Sequence, residues 1–160
     1  MKRLAIAVTV LAIGAAGCGS SSSPAAPSTT KIFTVQLSAL NEVPAITNAE
    51  STARGTAVIT IDSAKNTVDF NVSLNSFPAG IVVNIAHIHA AAAGATAGVL
   101  LSTGLTAGTV TLTNGSGTFS FLQVSATAAQ VSQILANPAG HYFNVHTALN
   151  GGGAIRGQLQ

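Results

Sequence analysis

Apolar and polar residues alternate along much of the chain with a period of two, which is typical of half-buried strands. The first alternating stretch is 33–37, where phenylalanine, valine and leucine are separated by polar residues. Segments 55–61 and 67–74 alternate in the same way. They flank 62–66, whose Asp, Ser and Asn are turn-forming residues, so the pair predicts a β-hairpin.

The rest of the chain adds short strand patterns separated by glycine- and asparagine-rich joints. They lie at 82–89, 109–112, 117–121, 141–146 and 154–159. Only 126–137 has apolar residues at helical spacing, and Pro138 follows it closely. The pattern therefore predicts an all-β fold, an antiparallel β-sandwich or flattened Greek-key barrel, with one short helix near 126–137.

The N-terminus has the composition of an export signal. Lys2 and Arg3 precede an apolar run at 4–16, which is shorter than the roughly 20 residues that span a membrane. The four residues that end at Cys18 resemble a bacterial lipobox. This resemblance implies a signal peptide at 1–17 and a diacylated Cys18 in the mature protein. The alternative is an ordinary cleaved signal peptide with an incidental cysteine.

Residues 18–30 are rich in serine and proline, a composition typical of a flexible tether between an anchor and a domain. Cys18 is the single cysteine, so a disulfide within the chain is excluded. We therefore expect an exported protein attached to the membrane through a lipid on Cys18. Because Gly19 is not the aspartate that favours retention in the inner membrane, the expected location is the outer membrane or the cell surface.

The predicted domain, 31–160, carries almost no net charge. Charged residues make up 6% of the chain, against roughly 25% in an average soluble protein. Beyond the leader, four basic residues balance four acidic ones: Lys31, Arg54, Lys65 and Arg156 against Glu42, Glu50, Asp62 and Asp69. A neutral domain lacks the basic surface that phosphate backbones require, so nucleic acid is excluded as a partner.

Short motifs lie at the start, in the middle and at the end of the predicted domain: 40–44 (LNEVP), 86–89 (AHIH), and at the end 140–147 (GHYFNVHT) followed by 152–159 (GGAIRGQL). In their order and spacing they resemble the CHRD family, first described as a repeat in chordin and common as a single copy in exported bacterial proteins. The resemblance covers essentially all of 31–160. It implies a β-rich extracellular module with a binding or structural role, and it favours a protein that is not an enzyme.

All four histidines lie within these segments. His87 and His89 are two apart in a predicted strand, so their side chains project to the same side. If the strand at 141–146 is a neighbour, His146 becomes a third ligand. Three imidazoles without a thiolate suit copper or zinc. The alternative is a purely structural histidine cluster, and His141, directly after a glycine, is expected to be structural.

The chain has a strand His-x-His, a later Val-His and an arginine after a glycine-rich turn. This pattern resembles the β-sandwich of copper/zinc superoxide dismutases. It implies copper at His87, His89 and His146, with Arg156 steering an anion. The zinc loop and the disulfide of that family are missing here. No nucleophile elbow or phosphate-binding loop suggests another chemistry, so no catalytic residue is assigned.

Glu42 and Arg156 belong to separate segments of the family pattern and carry opposite charges. We expect a buried ion pair between them that fixes the first loop to the last strand. The alternatives are an exposed arginine and a solvated carboxylate. Glu42 is also a candidate acceptor that orients one of the imidazoles.

Overall fold

The computed structural model describes residues 28–160, which form nine strands and one α-helix; the predicted signal peptide and most of the tether lie outside this range. The elements are β1 (Thr30–Ser38), β2 (Arg54–Asp62), β3 (Thr67–Asn75), β4 (Val82–His89), β5 (Val99–Ser102), β6 (Val110–Thr111), β7 (Gly117–Ser125), α1 (Ala128–Ala136), β8 (Tyr142–Thr147) and β9 (Ile155–Gln158). No helix of the described residues is long and apolar enough to cross a membrane.

The strands form one antiparallel sheet in the order β5-β4-β8-β9-β1-β2-β3-β7, and β6 pairs with the other end of β4. The sheet curls into a half-barrel. The rings of Phe70 on β3 and Phe143 on β8 stack with centroids 5.6 Å apart, although three strands, β9, β1 and β2, lie between β3 and β8 in the sheet. Inward-facing residues of the two halves therefore share one core, and the predicted all-β class is confirmed.

Local sequence explains the β2–β3 hairpin. Every second residue of both strands is buried, and the strands pair along their full length. At the turn, Oδ1 of Asp62 accepts hydrogen bonds from the backbone N–H groups of Ala64 and Lys65, and Asn66 adopts a left-handed conformation with φ 54°. Aspartate and asparagine stabilise such turns because their short side chains bond to nearby backbone.

Helix α1 connects the two edges of the half-barrel. The Thr127 hydroxyl accepts a hydrogen bond from the Gln130 N–H, and the Gln130 side chain accepts one from the Thr127 N–H, which forms a capping box. The amide of Gln130 also donates to the carbonyl of Leu100 on β5 at 2.7 Å. Val131 and Ile134 are buried in the core. The predicted helix is confirmed, and it begins and ends within the predicted range 126–137.

The two halves of the sheet meet at a narrow seam between β1 and β9. The ladder there contains a single registered pair, Ser38 with Arg156. The next residue, Gly157, lies against the backbone of β1: a Cβ on it would be 2.1 Å from the carbonyl oxygen of Gln36. A side chain at position 157 would keep β1 and β9 apart, so glycine is required at this point of the seam.

Strand β7 forms one outer edge of the sheet and is interrupted near its end. The β3–β7 register shifts between Val68 and Phe70, and Gln123 has a left-handed φ of 55°. The backbone N–H of Gln123 turns to donate to Oδ1 of Asp69 at 2.6 Å. The interruption is a β-bulge, which bends the edge strand.

Candidate metal centre

The adjacent strands β4 and β8 place a layer of polar side chains on the outer face of the sheet. As predicted, Phe143 is buried in the core and its neighbours point the other way. His87 lies opposite Asn144, and His89 lies opposite Tyr142. These outer residues are nevertheless buried, because the loops that follow β4 and β8 cover this face.

The structure brings His87, His89 and His146 together. Their exposed fractions are 5%, 7% and 6%, and one ring nitrogen from each lies within 4.8 Å of the others. The His87 ring centroid is 4.5 Å from those of both His89 and His146. The predicted convergence of the three imidazoles is therefore present, because β4 and β8 are neighbours.

Backbone carbonyls orient two of the rings. Nδ1 of His89 donates to the carbonyl of Ala97 at 2.8 Å, and Nδ1 of His146 donates to that of Gly151 at 2.9 Å. With the proton on Nδ1, the Nε2 lone pair of each ring is free to bind a metal ion. Nε2 of His89 is buried and has no hydrogen-bond partner among residues 28–160.

The third ring faces His146 directly. Nε2 of His87 lies 2.8 Å from Nε2 of His146. Because a metal–imidazole bond is about 2.0–2.1 Å long, two nitrogens bound to one ion lie about 2.9 Å apart at right angles and about 3.4 Å apart at the tetrahedral angle of zinc. The separation therefore fits a hydrogen bond between the rings and adjacent positions of a square-planar copper site, whereas binding of tetrahedral zinc would require the two rings to move slightly apart.

Burial also keeps His87 and His146 neutral. Desolvation, together with the neighbouring His146 and His89, lowers the pKa of His87 to about 3. Desolvation likewise lowers the pKa of His146, although its hydrogen bond to Gly151 opposes the shift. A neutral imidazole is the form that binds a metal, so these side chains need not release a proton near pH 7.

The loop at 90–98 covers the histidines and is held by two side chains of β9. Arg156 Nη1 donates to the Ala95 carbonyl at 2.9 Å, and Gln158 Nε2 donates to the Ala91 carbonyl at 2.7 Å. The same loop supplies the Ala97 carbonyl that orients His89. Strand β9 therefore positions the acceptor of a histidine on β4, although the two strands are not neighbours.

Glu50 fixes the second covering loop, at 148–153. Its Oε2 accepts hydrogen bonds from Thr147 Oγ1 at 2.8 Å and from Asn150 Nδ2 at 2.6 Å. Loop 148–153 also carries the Gly151 carbonyl, which orients His146. Glu50 is completely buried, and no local sequence pattern indicates its role, because that role depends on a contact 97 residues away.

The predicted ion pair between Glu42 and Arg156 is not formed. Within residues 28–160 the one ion pair shorter than 4.0 Å joins Lys65 to Asp62. The Arg156 guanidinium instead donates to the carbonyls of Asn41 and Ala95 and lies 4.5 Å from the centre of the Tyr142 ring. Burial raises the pKa of Glu42 to about 7, against the opposing effects of Arg156 and Asn144.

Two other predicted roles also differ from what the structure contains. Glu42 does not orient an imidazole; the acceptors are the backbone carbonyls of Ala97 and Gly151, which no side-chain pattern reveals. His141 lies outside the cluster, and its Nδ1 contacts the carbonyl of Asn137 at 2.8 Å. The predicted lipidation at Cys18 lies outside the described residues.

The fold and the site define a small all-β domain with a buried histidine cluster between the outer face of the sheet and two covering loops. Residues 33–159 match the family model of the CHRD domain, and the chain belongs to this family. Neither the curated proteins nor the solved structures contain a match to the chain. The similarity to superoxide dismutases therefore stays a prediction from sequence.

Proposed function

We propose that this CHRD protein is a lipid-anchored component of the cell envelope that binds one copper or zinc ion through His87, His89 and His146. The observation that supports the metal site is the convergence of three buried imidazoles whose Nε2 atoms are not used by the protein backbone. The role of the domain is binding or structural.

The donor set suits an ion of intermediate softness. Imidazole is a common ligand of both zinc and copper, and the cluster contains no carboxylate or thiolate among the described residues. Second-sphere carbonyls fix the orientation of His89 and His146, as is typical of metal-binding histidines. A cluster built only for packing would not leave the buried Nε2 of His89 without a partner beside the other two rings, because buried polar atoms normally have partners.

The protein should retain one equivalent of copper or zinc after incubation with the ion and desalting. The double variant His87→Ala/His89→Ala should retain none, because a single imidazole cannot hold the ion at this position. The number of metal ions bound per protein molecule, measured by elemental mass spectrometry, tests this prediction. Circular dichroism of the same samples establishes that the variant is folded.

The matched control is His141→Ala, which removes a buried histidine outside the cluster. It should retain as much metal as the unchanged protein. Failure of the unchanged protein to retain either ion, or equal retention by the double variant, would contradict the metal site. The histidines would then be a structural cluster.

Cys18→Ser should abolish attachment of the lipid. In cells fed a labelled fatty acid, the unchanged protein should carry the label and sediment with membranes, whereas the variant should be unlabelled and released from them. Two acyl chains bury enough CH₂ groups for stable anchoring, at about 0.8 kcal/mol each. An unlabelled Cys18 protein would instead favour an ordinary cleaved signal peptide. Accessibility to protease on intact cells tests the expected outer location.

A further inference from the structure

The guanidinium of Arg156 is buried without an anionic partner. The side chain is 3% exposed, and none of the acidic groups in residues 28–160 lies within 4.0 Å of its charged atoms. Nε and Nη1 donate to backbone carbonyls of two loops, and Nη2 has no acceptor among the described residues. A buried charge is costly unless it is paired, so the Nη2 group of this arginine is available to bind an anion.

A cavity of about 500 Å³ opens beside this arginine, which is a volume typical of small-molecule sites. Its floor is the outer face of β1 and β9, with Thr34, Gln36 and Gln158, and its walls are the segments 40–43 and 93–94. The amide Nε2 of Gln36 and the hydroxyl of Thr34 donate to no protein group in residues 28–160. Hydrogen-bond donors therefore line the same cavity as the guanidinium.

Glu42 is the other titratable group on the cavity wall. Burial raises its pKa to about 7, and its Oε1 is buried without a hydrogen-bond partner in the described residues. The charged or titratable side chains that face it are Arg156 from β9 and, beneath the guanidinium, Tyr142 from β8. In its protonated form Glu42 adds one more donor to the site, and in its ionised form it repels anions.

We propose that this cavity binds a small organic carboxylate, whose planar anionic group pairs with the guanidinium of Arg156. A carboxylate matches the planar fork of arginine and carries one charge, which balances one buried cation. A phosphate dianion would add a second charge close to Glu42 and is therefore disfavoured. The carboxylate can belong to a free acid or to the C-terminus of a peptide, since both offer the same group.

The test is isothermal titration of the protein with acetate, butyrate, and a triglycine peptide in its free and C-terminally amidated forms. At pH 6 we expect saturable binding of at least one free carboxylate and none of the amidated peptide. Selective binding of the small acids assigns the site to a free acid, and binding of the free peptide assigns it to a chain terminus. Absence of saturable binding by every free carboxylate would overturn the proposal.

Affinity should decrease as the pH rises through about 7, by up to about tenfold per unit, because ionised Glu42 opposes the ligand. Glu42→Gln keeps a donor and cannot ionise, so at pH 8 it should bind more tightly than the unchanged protein. An affinity at pH 8 that Glu42→Gln leaves unchanged would contradict this role of the carboxyl group.

Arg156→Lys keeps the charge but loses the paired geometry, so binding should weaken by about tenfold or more. Because Arg156 also holds two loops, Gln36→Leu provides a second variant that removes one donor from an exposed position of the floor. Thr118→Val, an exposed change on the distant strand β7, is the matched control and should bind normally. His87→Ala should also bind normally, which separates this cavity from the metal site.

Discussion

Replacing Gly157 with alanine should destabilise the protein by about 3 kcal/mol. The new Cβ would lie 2.1 Å from the carbonyl oxygen of Gln36 and 2.8 Å from a methyl group of Val35. The first contact is with backbone, which cannot move aside by a change of rotamer. Strand β9 would have to move away from β1, and the seam between the two halves of the sheet would open.

The consequences should extend to the histidines. Strand β9 carries Arg156 and Gln158, which hold the loop that presents the Ala97 carbonyl to His89. A displaced β9 should therefore also weaken metal retention. Urea denaturation followed by circular dichroism measures the loss of stability. Gly152→Ala, where a Cβ meets nothing within 4 Å, is the control and should change the free energy of unfolding little. Equal stability of the two variants would contradict the close packing at the seam.

Phe143→Ala should cost about 3–5 kcal/mol, the range for truncating a fully buried phenylalanine. Phe143 is completely buried on β8 and stacks on Phe70 from the other half of the sheet, with 24° between the ring planes. Removing the ring leaves a cavity in the centre of the shared core. The surrounding strands are hydrogen-bonded on both sides of β8 and cannot collapse into it.

The matched control for this prediction is Phe121→Ala on the edge strand β7. Phe121 is only partly buried, so its truncation should lower the free energy of unfolding by clearly less than the Phe143 change. The measurement is the shift of the denaturation midpoint, which is converted to a free energy of unfolding with the same slope of the transition for all proteins. A loss below about 1 kcal/mol for Phe143→Ala would show that the two halves do not share a core.

Sequence determines the local parts of this fold. The hairpin at 55–74 follows from alternating residues and a turn, and α1 follows from its capping box and apolar spacing. Strand β5, Val99–Ser102, was not predicted, because four residues after an alanine- and glycine-rich loop carry no alternation that distinguishes them from the loop. The curl of the sheet is a long-range property that no single segment specifies.

The candidate site likewise has some features that the sequence predicts and others that it does not. The His-x-His spacing alone places His87 and His89 side by side, since alternate residues of a strand share a face. His146 joins them because β4 pairs with β8, a contact between segments far apart in the chain that the sequence left open. The carbonyl acceptors at Ala97 and Gly151 cannot be predicted from the sequence, because every residue has a backbone carbonyl.

The bulge in β7 has a consequence for the behaviour of the protein at high concentration. An unpaired edge strand is a template onto which another chain can add, and β7 contains no charged residue to prevent this. At Gln123 the N–H that would face a neighbouring molecule is turned inward and bound by Asp69. A single carboxylate thus interrupts the row of donors at this edge, and we expect it to hinder extension of the sheet from one copy of this sparsely charged domain to the next.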